Sequence, residues 1–69
     1  MREQHSMNNA LWWEVYDSNG NNVGVIHSTY HSIFPYEAFY NGLRTASNRT
    51  YSLDDAEAWI LVKAREGNE

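Results

Sequence analysis

The sequence predicts an α+β fold, a three-stranded antiparallel sheet with one C-terminal helix packed on one face. Three observations carry this expectation. Asn19-Gly20 lies between two runs rich in β-formers, the strongest short hairpin signal. A serine-capped segment near the C-terminus places Leu53, Ala56, Ile60 and Ala64 at helical spacing. Between them, the aromatic run Tyr36, Phe39 and Tyr40 suits a strand that returns beside the hairpin. Three strands are the minimum for a stable sheet unless a helix lends support.

Taken in order, residues 1–9 are polar and aperiodic and are expected to form a flexible N-terminal arm. Residues 10–67 then form a single α+β domain. The first strand spans residues 11–16 and the second runs from Val23 to about Thr29. A two-residue loop at Asn19-Gly20 sets Trp13 opposite Ile26, Val15 opposite Gly24 and Trp12 opposite His27. A loop of three or five residues would flip the faces. Side chains alternate along a strand. One face takes Leu11, Trp13, Val15, Gly24 and Ile26, and is assigned to the core. The other takes Trp12, Glu14, Tyr16, Val23, Val25 and His27. Gly24 suits close approach by a helix or by the Trp13 ring.

Pro35 and Gly42 could bracket a short helix, but the aromatics between them favour the third strand. Residues 43–51 follow as a polar connection. Ser52 is the N-cap of the helix, and Asp55 stands three residues on as in a capping box. Asp54, Asp55 and Glu57 suit the positive end of the helix dipole, and Lys63 and Arg65 the negative end. Gly67 supplies a stop. Trp59 and Leu61 flank the apolar stripe, and Val62 points away from it.

Sixty-nine residues make one small domain. Nine acidic and five basic residues leave a net charge of −4, which disfavours a phosphate-binding surface. There is no cysteine, and the first nine residues contain no apolar run. A cytoplasmic location, bacterial or in an infected host cell, is expected, with no membrane association. Three Trp, five Tyr and two Phe make the chain aromatic-rich, the composition of small cores and of interface hot spots alike.

Catalytic chemistry finds no motif. His27 and His31 are four apart but fall at a strand end and in a loop, where they do not converge on a metal. Asp54 and Asp55, adjacent on a helix, point about 100° apart and are explained by capping. Gly20 and Gly24 belong to a hairpin and not to a phosphate-cradling turn. No enzyme activity, metal or cofactor is expected. What remains is the second sheet face, which one helix cannot cover. Exposed apolar patches mark interaction sites. Trp12, Tyr16, Val25 and His27 are therefore the candidate partner-binding residues, with Arg44 and Arg49 at the rim.

The layout from Trp13 to Ile60 also carries a resemblance. It reads Trp-x-Val-Tyr-Asp-x-x-Gly-x-x-Val-Gly-x-Ile, then Tyr-x-Ala, then Ser-Leu-Asp-Asp-Ala-x-x-Trp-Ile. In size and order it resembles small sheet-plus-helix accessory proteins of bacteriophages and mobile elements, among them anti-CRISPR and polymerase-inhibiting proteins. That resemblance implies a non-enzymatic module that docks on a larger host or defence protein and inhibits or modulates it. A second resemblance, to the sheet-plus-helix DNA-binding domains of phage integrases, implies a nucleic-acid-binding accessory factor instead. Against it, the two hairpin strands contain no Lys or Arg. Self-association as a homodimer is a further expectation.

Overall fold

The computed structural model describes residues 1–29, 32–41 and 46–67. Five strands and a helix follow one another: β1 (Arg2–Met7), β2 (Ala10–Tyr16), β3 (Asn22–Ser28), β4 (Tyr36–Tyr40), β5 (Ala46–Thr50) and α1 (Leu53–Gly67). The strands form one antiparallel meander in the order β1-β2-β3-β4-β5. The helix packs across one face.

The expected three-stranded sheet is therefore corrected to five strands. Both additional strands are edge strands, and both are polar. Residues 1–9, expected as an arm, supply β1, whose residues are exposed or half-buried throughout. With neither face sealed, no apolar alternation is needed to hold it. Its turn is nonetheless encoded. Asn8 and Asn9 both have positive φ, 51° and 69°, as a two-residue mirror-image hairpin turn requires. Asparagine tolerates that conformation better than most residues. Residues 43–51, expected as a connection, include β5, which pairs along all of β4. Its last residue, Thr50, is buried, and its hydroxyl donates to the carbonyl of Ser52 at 2.8 Å.

The central hairpin has the expected pairs, Trp12 with His27, Trp13 with Ile26 and Val15 with Gly24. Its loop is longer than two residues. Tyr16 faces Asn22, so residues 17–21 form a five-residue loop, and a register shift after Val15 restores the parity. One Asp17 carboxylate oxygen accepts from the amides of Asn19 (2.9 Å) and Asn21 (3.0 Å), and Gly20 takes φ 81°. The irregularity also moves Val23. Expected on the open face, it packs against the core cluster. The run Tyr36–Tyr40 is a strand, as the aromatics predict.

Trp13, Val15, Ile26, Ala38, Ala56, Ile60 and Ala64 are buried and form the core. The helix contributes through its small-residue stripe, and Trp59 and Leu61 are half-buried at its shoulders. Val62 is exposed, as its position opposite the stripe requires. Helix and sheet approach closely at Gly24: a Cβ there would lie 2.7 Å from Ile60 Cγ2. Leu11 shares the core side but is 36% exposed, because α1 lies mainly over β3, β4 and β5. The amide of Asp55 donates to Ser52 Oγ at 3.1 Å, the expected N-cap. Arg2 reaches from β1 to Asp54 (2.7 Å) and Glu57 (2.8 Å), tying the first strand to the helix.

Candidate functional site

The sheet face opposite the helix follows from the register. One cross-strand row runs His5, Trp12, His27, Glu37 and Arg49. The next runs Glu3, Glu14, Val25, Phe39 and Ser47. Tyr16 and Met7 lie at opposite ends of this surface. Trp12, Glu14, Tyr16, Val25, Glu37 and Phe39 are half-buried, and among the described residues no second layer covers them.

Two aromatic contacts organise the face. His5 stacks on Trp12 with ring centroids 5.6 Å apart and planes at 16°. The edge of one ring meets the face of the other between His27 and Phe39, at 5.5 Å and 83°. Polar groups fill the flank. The Tyr16 hydroxyl donates to Glu14 Oε2 at 2.6 Å. That hydrogen bond, followed by desolvation and the carboxylate's charge, holds the phenol above its ordinary pKa. His5 Nε2 lies 3.5 Å from Glu14 Oε2 and 3.6 Å from Glu3 Oε1. At the other margin Arg49 Nε approaches Glu37 Oε2 at 3.6 Å.

Of the expected binding residues, Trp12, Tyr16, Val25 and His27 lie together on this face, and Arg49 stands at its rim. Arg44 falls outside the described residues, as does His31. Sequence reasoning missed three members. Phe39 and Glu37 follow from alternation once Ala38 is taken as the inward residue of β4. His5 was hidden because β1 itself carries no periodic signal.

The electrostatics are lopsided. Among the described residues of this face, Glu3, Glu14 and Glu37 stand with one Lys or Arg, Arg49, which Glu37 already engages. Among the described residues no group of three or more His, Cys, Asp or Glu could hold a metal ion. Among those residues, too, no helix is long and apolar enough to cross a membrane. No family model matches the chain, and neither curated proteins nor solved structures give a match.

Proposed function

We propose that this chain is a non-enzymatic protein-binding module that docks its open sheet face on a basic surface of a larger protein and inhibits or modulates it. One observation carries the reading. Trp12, Tyr16, Val25 and Phe39 lie side by side on a layer that the helix leaves uncovered. Aromatic anchors in a polar surround are the usual makeup of an interface hot spot. The carboxylates of Glu3 and Glu14 beside them favour a partner bearing Lys or Arg. The general resemblance in size and order to small phage and mobile-element accessory proteins favours a host or defence protein as the target class.

The test compares capture from a bacterial lysate by wild-type chain, Trp12→Ala and Val62→Ser. A partner held by the wild type and by Val62→Ser, lost with Trp12→Ala and weakened by salt, is the expected result. Capture that ignores Trp12 but fails with Val62→Ser places the interface on the helix and overturns the proposal. Capture of nucleic acid in place of protein, with a steep salt dependence, overturns it as well.

A further inference from the structure

We infer that β1 is a self-complementary edge through which two copies of the chain pair antiparallel, joining their sheets into one. The argument begins with the backbone. Among the described residues β1 has β2 as its one neighbour in the sheet. Met1 and Tyr16 exchange both main-chain hydrogen bonds, Tyr16 N to Met1 O at 2.7 Å and Met1 N to Tyr16 O at 3.1 Å. Alternation along an antiparallel ladder then turns the N–H and C=O groups of Glu3, His5 and Met7 towards β2. Those of Arg2, Gln4 and Ser6 point out from the edge. Proteins usually blunt such an edge with lysine, proline or a bulge. β1 has no lysine, proline or bulge; its charges are Glu3 and Arg2, and Arg2 is drawn to Asp54 and Glu57 of the helix, while its register with β2 is unbroken from Arg2 to Met7.

A two-fold axis at Gln4 uses this outward row completely. Arg2 faces Ser6 of the second copy, Gln4 faces Gln4, and each facing pair exchanges two hydrogen bonds. The side chains agree with the same register. Glu3 stands across from His5 of the second copy. Met1 stands across from its Met7, and these two residues are 77% and 65% exposed in the single chain. A slip of two residues either way opposes Glu3 to Glu3 or His5 to His5 and loses the carboxylate–imidazole pair, so the register centred on Gln4 is favoured. The other edge offers less. Self-pairing of β5 about Asn48 sets Arg49 against Ser47, with no acidic side chain opposite the cation. The axis runs perpendicular to the sheet, so both helices lie on one side and both Trp12 faces lie on the other. The pairing therefore doubles the open face without covering it.

Sedimentation of the full chain from about 10 μM to about 1 mM tests this, a range suited to a small contact. The wild type is expected to shift with concentration to a species of twice its 8.0 kDa mass. Gln4→Pro leaves the ladder to β2 intact, because the lost N–H faces outward. It is expected to remain monomeric. Gln4→Cys provides a second measurement. Facing residues of a hydrogen-bonded pair have Cα atoms about 5.5 Å apart, within disulfide reach. The natural chain has no cysteine to compete. Oxidative cross-linking at position 4 is expected to be at least about tenfold faster than in Asn48→Cys, since only one edge is paired. A wild type that stays monomeric throughout, or equal cross-linking at both positions, overturns the inference. So does a folded Gln4→Pro chain that still dimerises. If Gln4→Pro unfolds, the cysteine comparison decides. None of these readouts involves the larger partner, so the docking proposal stands or falls separately.

Discussion

The imidazole of His5 lies almost parallel to the indole of Trp12, 5.6 Å from centroid to centroid. The stack joins an edge strand to a central one on the face away from the helix. Trp12 is thereby sheltered on one side while the interior is filled by its neighbour Trp13, which is 5% exposed. Two adjacent tryptophans serve different ends because a strand sends successive side chains to opposite faces.

Truncating the two should separate stability from binding. Trp13→Ala empties a core site and is expected to destabilise the fold by about 3–5 kcal/mol, enough to unfold much of a domain this small. Trp12→Ala loses the His5 stack and partial burial, about 1 kcal/mol, and should remain folded. Urea denaturation of both variants gives the comparison. Equal losses would make Trp12 a core residue and remove the basis for a docking face there.

The sequence made the central hairpin legible down to its residue pairs, because an Asn-Gly turn and β-rich flanks constrain register together. Ser52 and the stripe of Ala56, Ile60 and Ala64 did the same for the helix. β1 and β5 were not legible, for a shared physical reason. Arg2–Met7 and Ala46–Thr50 are edge strands held by one ladder and little burial, so they lack the period-2 apolar signal. Asn8-Asn9 was the overlooked cue. The site was readable on β2 and β3, while Glu37, Phe39 and His5 escaped notice where strand assignment or face assignment was incomplete.

Gly24 sets how closely the helix can approach the sheet. A Cβ at this position would meet Phe39 O at 2.5 Å and Ile60 Cγ2 at 2.7 Å. The first neighbour is backbone and cannot swing aside. Gly24→Ala is expected to destabilise by about 1–3 kcal/mol through overpacking. Gly20 tests the alternative cause, backbone conformation. It has φ 81° and nothing within 4 Å of a modest side chain, so Gly20→Ala should cost about 1 kcal/mol from left-handed strain alone. Thermal melts that rank Gly20→Ala as the worse variant would contradict the close approach.

Tyr16 gives an alkaline signature. Its hydrogen bond to Glu14 raises the phenol above its ordinary value of 10.0. The folded chain then holds the proton more tightly than the unfolded chain. The stabilisation is fully present below pH 10.0 and fades as pH rises through the higher folded value. The melting-temperature gap between wild type and Tyr16→Phe should therefore shrink in strong alkali. A gap that stays constant or widens would mean that the Glu14 contact does not form.

Arg2 fastens the first strand to the helix, and its two carboxylate partners should not count equally. The Glu57 side chain is 20% exposed and that of Asp54 is 85% exposed. Water screens the Asp54 contact, whereas the Glu57 contact is partly shielded. Glu57→Gln is expected to cost about 1 kcal/mol, and Asp54→Asn less than about 0.5 kcal/mol. Arg2→Met keeps the packed stem and removes the charge, while Glu57 keeps its contact to the Met1 ammonium at 3.2 Å, so its cost should not exceed the two losses together. Because β1 is an edge strand with little burial, the loss should show first as faster hydrogen exchange in β1, ahead of any change in the central hairpin. Added salt should bring wild-type exchange towards that of Arg2→Met. If β1 exchanges at the same rate in both chains at low salt, the ladder alone secures the strand and the ion pairs are incidental.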